Sequence, residues 1–588
     1  MRKAGFLFSV LLLVGLGSAR GQVVPNPPPD LDPDAHAKAD KLYPSAKVCG
    51  ACHPKQYAEW SVSSHAYAAV SPMFNKFEQK INDLAQGTIN YFCVRCHVTT
   101  GTTLGERRDM PWWDRSASGQ EGITCVTCHR VGEAYGKVNG ARRIAPGDIH
   151  LSVFGPFDSE GVLKAIQSAE KYKLLVSYDQ PDKPGYLRIH QQGIQSEIVK
   201  KSELCAACHQ VAVYAGIKLE TVWEEYRASP AAKQNITCQD CHMSTNPGLP
   251  APEVKGAAAL VNGYTVRDDR PVTDHTFNGP GYPISHPGLF PIGDSPYTPQ
   301  QWLTFDWRAN WGEEAFEAKV AADPDSYKFP PEWQKAADRK DAWSRVQTNL
   351  EAWKGRLQKR KQILTNGSRL DGPFFVSRPE VGKPFAFHYQ LTNLNTGHNL
   401  PSGSLGAQPE VWLNVALIDP DGKIVWETGD LDGNGDLRDL QSIEVRTHKH
   451  GTKHVDTVLD SQLFSLQSKF LITNVKGTER EMPLPVNVDV DQIPFIRPGG
   501  TPVSLLNHPP FVRLEKRSIP ALGTREARFK VPGDKLKKPG TYRLAVRLRA
   551  RSEPLYFMDF VGATDEMKRT ENEWITDTHA YQVEFAVR

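Results

Sequence analysis

From residue 371 to the C-terminus, apolar and polar residues alternate in short runs. Successive side chains of a β-strand point to opposite faces, so this alternation predicts strands with one buried face. Turn-forming pairs such as Asp421-Gly422 and Pro539-Gly540 separate the runs. We therefore predict an all-β sandwich over residues 371–588, an ordinary size for one domain. The clearest runs are Phe385–Tyr389, Val411–Leu417, Tyr542–Leu548 and Tyr581–Phe585.

The preceding residues, 291–370, follow a helical pattern instead. Apolar residues recur at helical spacing between Trp343 and Leu364. A basic run near the end of this pattern, Lys359-Arg360-Lys361, is interpreted as a solvated helix end rather than as a surface for an acidic partner. We predict a helical connector rich in tryptophan. Its tryptophans include Trp302, Trp307, Trp311, Trp333, Trp343 and Trp353.

Residues 48–290 carry only short helical patterns, which many Gly and Pro residues interrupt. The whole chain is 39% hydrophobic, which is little for a large core. We predict a multidomain protein in which a mainly α domain with low secondary-structure content precedes the connector and the β-sandwich. Residues 22–47 are rich in Pro and Asp and predict an extended, exposed arm.

The first residues, 1–21, predict a signal peptide. Two basic residues precede an apolar stretch from Gly5 to Gly17, and Ser18 and Ala19 follow it. This stretch is short for a membrane span, so cleavage is favoured over a retained anchor. We expect a mature chain without a transmembrane segment, located in the periplasm or outside the cell.

Charge and cysteine content narrow the class of protein. The 70 basic and 67 acidic residues are mixed and leave a net charge of +3, so nucleic-acid binding is not expected. Ten cysteines in an exported chain would ordinarily suggest disulfides. Here all ten fall into Cys-x-x-Cys-His units and none remains for a disulfide. The units are Cys49-Cys52-His53, Cys93-Cys96-His97, Cys125-Cys128-His129, Cys205-Cys208-His209 and Cys238-Cys241-His242.

Cys-x-x-Cys-His is the attachment pattern of c-type heme. Positions i, i+3 and i+4 of a helix share one face, so two thiols can bond the heme vinyl groups while the imidazole reaches the iron. One unit would also be compatible with zinc or with thioredoxin-like chemistry, but five units without a spare cysteine favour heme. Five porphyrins would also replace much of the apolar core of residues 48–290. We predict five covalently attached c-type hemes, with His53, His97, His129, His209 and His242 as proximal iron ligands.

The second axial ligand decides whether a heme only transfers electrons or has an open iron position. His65 lies twelve residues after His53, about 18 Å along a helix, so it is expected to serve a different heme. His398 lies in a Gly- and Pro-rich loop that could reach back from the β-domain. An ordinary structural histidine is the alternative in each case, and His286 is a reserve candidate. The distal candidates are His65, His150, His190, His275 and His398.

Residues 48–290 resemble the multiheme cytochrome superfamily that contains hydroxylamine oxidoreductase and its tetraheme electron-accepting cytochrome. The resemblance rests on the Cys-His units, on the segment from Tyr57 to His65, and on residues 120–125 and 235–243. It implies close-packed heme pairs and electron transfer, and it implies that one heme can stay five-coordinate. In the tetraheme relative, distal histidines come from just after the first unit and from between the third and fourth units. His65, His150 and His190 occupy comparable places.

A short acidic segment in the β-domain follows the opening of a calcium-binding loop, with oxygen ligands on alternate residues. The twelfth position is Gln441 instead of Glu, so a solvated acidic hairpin is the alternative. Downstream, His448, His450 and His454 are interpreted as part of a polar loop rather than as metal ligands. The candidate calcium ligands are Asp430, Asp432, Asn434 and Asp436.

Three functions follow from this pattern. The first is an electron carrier with largely bis-histidine hemes that exchanges electrons with partner cytochromes or dehydrogenases. The second is a reductase or oxidase of a small nitrogen or sulfur compound at one five-coordinate heme. The third is a self-associating subunit of a conducting filament. Five distal histidines would favour the first function, an empty axial position the second, and heme ligation between subunits the third.

Overall fold

The computed structural model describes most of the chain after the N-terminal arm. The described residues are 38–39, 41–84, 87, 90–132, 139–140, 142–212, 218–281, 285–293, 295–402, 409–439, 458–472, 482–483, 512–515 and 517–588. The predicted signal peptide and most of the arm therefore lie outside them. Among the described residues, no helix combines the length and the apolar composition needed to cross a bilayer.

The N-terminal half contains short helices joined by irregular segments. Of the described helices in this half, only α3 exceeds eight residues, and its amphipathic face places Met73 and Ile81 in the interior. Such short helices contribute little stability of their own and depend on the packing around them. The helices are α1 Ala46–Gly50, α2 Pro54–Ser61, α3 Pro72–Leu84, α4 Val94–His97, α5 Thr99–Leu104, α6 Ala117–Gln120, α7 Cys125–His129, α8 Glu160–Gln167, α9 Ala169–Tyr172, α10 Glu203–Ala206, α11 Val222–Arg227, α12 Pro230–Lys233 and α13 Cys238–His242.

The strands of this half are two or three residues long and form separate pairs. The pairs β1·β4 and β2·β3 are parallel, whereas β5·β6, β7·β10 and β8·β9 are antiparallel. No pair extends into a larger sheet within the described residues. These strands therefore connect loops by hydrogen bonds and do not form a core. The strands are β1 Val153–Gly155, β2 Leu174–Leu175, β3 Leu187–Arg188, β4 Gly193–Gln195, β5 Val211–Ala212, β6 Lys218–Glu220, β7 Val254–Gly256, β8 Ala259–Val261, β9 Tyr264–Val266 and β10 Arg270–Val272.

One long helix, α16, follows and runs between the two halves of the molecule. Its 31 residues extend over about 46 Å. The buried residues Ala342, Val346, Trp353 and Leu364 recur at helical spacing, as the sequence pattern predicts. Ahead of it, Trp302 and Trp333 form a fully buried aromatic cluster. The helices of this region are α14 Pro299–Thr304, α15 Glu314–Ala322 and α16 Ala336–Asn366, with 3₁₀ turns at Trp307–Ala309, Pro324–Ser326 and Pro331–Trp333.

The C-terminal region contains three antiparallel sheets. Strands β11-β12-β18 form one sheet, β14-β13-β19-β20 a second, and β16-β15-β17 a third. Alternate residues of β12, from Phe385 to Leu391, are buried in the same hydrophobic cluster as the inward residues of β13, β18 and β19. The strands are β11 Ser368–Phe375, β12 Phe385–Asn393, β13 Glu410–Ile418, β14 Ile424–Thr428, β15 Lys469–Ile472, β16 Met482–Pro483, β17 Val512–Glu515, β18 Thr524–Val531, β19 Gly540–Arg551 and β20 Thr576–Val587.

Two features of this region differ from the all-β prediction. Strand β13 is buried on both faces, and residues 464–466 pair with its edge, where Leu413 N donates to Phe464 O. Two helices, α17 Leu555–Phe560 and α18 Asp565–Glu573, lie between β19 and β20. Their apolar residues, including Phe557, pack against Met73 of α3. These helices therefore join the C-terminal region to the N-terminal half.

Candidate heme-binding sites

The Cys-x-x-Cys-His units lie on or beside short helices, as the attachment chemistry requires. The third and fifth units coincide with helices α7 and α13. The residue before each of these helices is a threonine, and Thr237 forms a complete capping box with Asp240. A local sequence signal thus starts the helical turn that brings two thiols and one imidazole to the same side.

The histidines of four units are held in the orientation that metal ligation needs. In each, Nδ1 lies within hydrogen-bond distance of a backbone carbonyl, which can only accept, so Nδ1 carries the proton. The Nε2 lone pair is then available to a metal ion, and the carbonyl fixes the ring. The carbonyls of Ala258, Ala68, Phe154 and Asn278 lie 2.9, 3.2, 2.8 and 2.6 Å from the Nδ1 atoms of His53, His97, His129 and His242, respectively.

The fourth unit differs, because the ring of His209 faces a carboxylate. His209 Nδ1 lies 4.0 Å from Oε1 of Glu220, which lies on β6. Burial lowers the pKa of His209, but the Glu220 carboxylate outweighs this and raises it. An acceptor again faces Nδ1 and leaves Nε2 to a metal, so all five units fit a proximal heme ligand.

Thiols of different units meet and show which units are neighbours. The thiol of Cys49 is hydrogen-bonded to that of Cys125, and the thiol of Cys205 to that of Cys238. The second and fourth units meet in the same way, through Cys96 and Cys208. The first unit therefore lies beside the third, and the fourth unit lies beside both the second and the fifth.

Two candidate distal histidines face a motif histidine directly. The ring centres of His65 and His209 are 6.3 Å apart, and those of His242 and His398 are 6.1 Å apart. Two imidazoles bound to opposite sides of one metal ion, each with a metal–nitrogen bond of about 2 Å, have ring centres roughly 6 Å apart. The separations therefore match the space that one metal between two imidazoles requires. As expected, His65 does not face the motif histidine of its own unit.

Two further candidates are half-buried near other motif histidines. Burial and then the field of His53 lower the pKa of His190 to about 4. Burial and then the field of His129 lower the pKa of His275 to about 4. Both imidazoles are neutral at physiological pH, which is the form that binds a metal.

The motif histidine of the second unit has different surroundings. The ring of His97 stacks on Phe74, with centres 4.0 Å apart and planes 4° apart. Among the described residues, no second imidazole makes a ring contact with it. Beside this unit lies a cavity of about 260 Å³, lined by polar and cationic groups. Its lining residues are Arg95, Thr99, Thr102, Thr103, Gly140 and Arg142.

His150, the fifth candidate, is fully buried, but both of its ring nitrogens have protein partners. Nδ1 lies 2.9 Å from the carbonyl of Ile189, and Nε2 lies 3.0 Å from Nη1 of Arg188. The reserve candidate His286 is engaged in the same way, by Gly288 N at 3.0 Å and Phe305 O at 3.1 Å. Neither ring offers a nitrogen to a metal in this arrangement.

The loop that carries His398 is fastened to the N-terminal half by one carboxylate. Glu225, on α11, accepts hydrogen bonds from Asn399 N at 3.2 Å and from Ser402 Oγ at 2.7 Å. Asn399 Nδ2 also donates to it, at 3.2 Å. Sequence reasoning had no signal for Glu225, because its partners are about 175 residues away along the chain.

Helix α16 holds the loop that carries His275. Lys359 Nζ lies 2.7 Å from Asp274 Oδ2, and the buried Arg360 donates to the carbonyls of Pro280 and Trp574. The interpretation of the basic run as a solvated helix end is therefore wrong for Lys359 and Arg360, whereas Lys361 is exposed. Polar loops from both halves of the molecule surround this part of the helix and bind Lys359 and Arg360.

The carboxylates of the acidic segment 430–436 are bound by arginine side chains and by backbone N–H groups of the protein. Asp430 pairs with Arg438, and Asp436 Oδ1 lies 3.4 Å from Arg551 Nη2. Asp432 Oδ1 accepts from the backbone of Asn434 and Asp436 at 2.8 and 2.9 Å. No group of three or more His, Cys, Asp or Glu side chains suited to a metal ion occurs in the described part of the chain. The positions 441, 448, 450 and 454 lie outside that part.

Comparisons with known proteins bear on the same units. Residues 48–130, which contain the first three units, match the family described as cytochrome c554 and c-prime. A fold comparison finds a penta-heme cytochrome c552 from Thermochromatium tepidum, with 14% identity and a TM-score of 0.48, over 92% of this chain and 98% of that one. It also finds the alkylpurine DNA glycosylase AlkC of Pseudomonas fluorescens, with 8% identity and a TM-score of 0.13, over 46% and 54%. No curated protein sequence matches significantly.

The family match agrees with the ligand geometry of the Cys-x-x-Cys-His units. Residues 48–130 are similar to the cytochrome c554 and c-prime family, and such units are the attachment pattern of c-type heme. The TM-scores of both fold comparisons lie below 0.5, which is too low to assign this chain to a fold family.

Proposed function

We propose that this protein is an exported electron carrier with five c-type hemes. The observation that carries the proposal is the facing of imidazoles with ring centres 6.3 and 6.1 Å apart, in the pairs His65/His209 and His242/His398. When bound, each heme supplies a one-electron redox centre. Two histidines on one iron leave no position for a substrate, so the chemistry of such a site is electron transfer.

The chain's own residues would hold four of the hemes from both sides. We propose the axial pairs His53/His190, His129/His275, His209/His65 and His242/His398. Backbone carbonyls orient three of the proximal rings, and Glu220 orients the fourth. Since both nitrogens of His150 are engaged, it has a structural role in this proposal, and the five predicted distal ligands become four.

The β-domain has a direct role in this scheme. His398 comes from the loop after β12 and reaches the fifth unit, where Glu225 fastens it. We propose that residues 371–588 are a β-sandwich with two inserted helices, and that this domain completes one heme site. The ligand that it supplies would be the chemical reason why a β-sandwich is attached to a cytochrome.

A second function is favoured by the surroundings of His97. The heme of the second unit would have one histidine ligand, and the adjacent cavity presents two arginines and three threonines. Such groups suit a small anion, so reduction or oxidation of a small nitrogen or sulfur compound is the alternative. This reading agrees with the proposed relationship to the hydroxylamine oxidoreductase superfamily.

Location and partners follow from the carrier function. We propose a periplasmic or extracellular protein that takes electrons from, or gives them to, partner cytochromes or dehydrogenases. Assembly into a conducting filament would require heme ligation between subunits. The proposed pairs use histidines of one chain for four hemes, which leaves only the second unit for such a ligand.

Electron paramagnetic resonance on the oxidised, fully matured protein tests the proposal. We expect low-spin signals from four hemes and one high-spin signal, which cyanide should convert to low spin. The mass of the intact protein should show five hemes. A protein of full heme content with only low-spin signals would rule out the open site, and one that attaches no heme would rule out both functions.

A further inference from the structure

A buried cation near His65 lacks a counter-ion among the residues that the structure describes. Arg356 lies on α16 with 2% of its surface exposed. Its Nη2 donates to the carbonyls of Gly279 and Gly281, at 3.3 and 3.0 Å. Among the described residues, its Nε and Nη1 atoms are buried without any hydrogen-bond partner. Unpaired N–H groups on a buried guanidinium are costly, so the position calls for an anion.

The other cations on this part of α16 already have partners. Lys359 is paired with Asp274, and Arg360 donates to several oxygens of the two adjoining segments. Asp274 also acts on Arg356, but its carboxylate is bound by Lys359 at 2.7 Å. Burial, followed by the field of Arg360, lowers the pKa of Arg356 to about 10, which still leaves it charged. The described residues therefore supply no free anion for Arg356.

The position of Arg356 indicates which anion this is. The guanidinium is close enough to His65 for its charge to act on the imidazole. The loop to which it donates also lies against this histidine: Gly281 is next to Ser64, and the ring of Phe277 is 4.3 Å from that of His65. Arg356 thus lies beside the space between His65 and His209, where the proposed function places the fourth heme.

We propose that Arg356 binds a propionate carboxylate of the heme attached at Cys205 and Cys208. A carboxylate oxygen accepts a strong, charge-assisted hydrogen bond from a guanidinium, and Nε and Nη1 are the two donors of Arg356 that the described residues leave open to it. The inference rests on the proposed function, since it requires a heme between His209 and His65. It adds a residue that neither the units nor the axial ligands identify.

The test is the substitution Arg356→Gln in the matured protein, with Lys354→Gln as the control. Lys354 lies on the same helix, and its removal changes the net charge equally, but it forms only an exposed pair with Glu351. A cation beside a heme disfavours the oxidised iron, so R356Q should lower the potential of one low-spin heme. We expect the ratio of oxidised to reduced heme at a fixed potential to rise about tenfold, or about 59 mV. K354Q should leave all potentials unchanged.

Several outcomes would overturn the inference. Five attached hemes with unchanged potentials in R356Q would do so, and so would an equal shift of all the hemes. A wild-type potential that responds to added acetate or chloride would point to a solution anion instead. If R356Q does not mature, R356K provides the test, because lysine keeps the positive charge but not the directed N–H donors of the guanidinium and should give a smaller shift of the same single heme. Loss of heme attachment in the wild type would instead count against the proposed function.

Discussion

At the scale of single residues, the two nitrogens of each imidazole separate ligands from structural histidines. His53 and its counterparts in three other units use Nδ1 for a backbone carbonyl and keep Nε2. His150 uses both nitrogens for protein partners. All are buried or half-buried histidines within or near the same domain, so residue type and burial alone do not distinguish these roles. Hydrogen-bond geometry does.

Replacing His398 tests the role of the β-domain at this scale. His398→Ala removes the imidazole that faces His242 at 6.1 Å, so we expect one additional high-spin heme in the paramagnetic resonance spectrum, at unchanged heme content. His388→Ala is the matched control, because His388 belongs to the same domain but packs on Phe374. An H398A spectrum identical to that of the wild type would contradict the proposed pair.

Replacement of His150, unlike replacement of His398, should lower the stability of the protein and leave the spin states of its hemes unchanged. His150→Ala removes the imidazole that contacts Nη1 of Arg188 and the carbonyl of Ile189, so the free energy of unfolding should fall by about 1–3 kcal/mol. The spin states should stay those of the wild type, whereas His275→Ala should add a high-spin heme. Denaturant unfolding and paramagnetic resonance on both variants give the comparison. A new high-spin heme in H150A would restore His150 as a ligand.

At the scale of elements, α16 connects the two halves of the molecule. Trp353 packs against Trp574 with ring centres 3.9 Å apart, and Arg360 donates to loops from both halves. At the other end of the helix, Arg339 is 1% exposed and pairs with Glu317, with Nε 2.8 Å from Oε1. The inner side of this helix carries buried arginines as well as apolar residues.

Removal of the Arg339 partner should destabilise this helix strongly. Glu317→Ala leaves a buried guanidinium without its counter-ion, so we expect the free energy of unfolding to fall by about 3–5 kcal/mol. Glu351→Ala, which removes an exposed partner of Lys354 on the same helix, should change it by about 0.5 kcal/mol or less. Equal effects of E317A and E351A in denaturant titrations would show that burial does not decide the contribution of the pair.

At the scale of the whole molecule, the thiol contacts connect the five Cys-x-x-Cys-His units into a network, and the fourth unit is its junction. Its thiols meet those of the second and fifth units, and Arg142 links it to the third through the field of Cys128. The first unit meets only the third among the thiol contacts, through Cys49 and Cys125. The network therefore has an end at the first unit and a centre at the fourth.

Loss of the central heme should divide the network. In a variant with Cys205→Ala and Cys208→Ala, the second and fifth hemes lose their shared neighbour, so rapid-mixing reduction should proceed in separate fast and slow phases. The matched variant, with Cys49→Ala and Cys52→Ala, loses a terminal heme and should keep the single fast phase. Intact mass confirms the loss of one heme in each case. Identical kinetics in the two variants would contradict the central position of the fourth unit.

The sequence by itself determined the attachment chemistry and the periodic elements. Five Cys-x-x-Cys-His units place their thiols and imidazole through the local geometry of one helical turn, and the alternation around Phe387 needs only neighbours in the chain to be recognised as a strand. The inserted helices near Phe557 were missed, because a short apolar run does not distinguish a helix from a strand.

Tertiary structure decided the identity and environment of the second ligands. His65 faces His209, which lies 144 residues later in the chain, and the His398 loop meets Glu225 of the N-terminal half. The same packing separates Arg356, which has no counter-ion among the described residues, from Lys359, which has one. The contacts that select these roles join residues far apart in the chain, and no local periodicity encodes a distance between two such segments. Only the packing of loops against α16 and the β-domain specifies it.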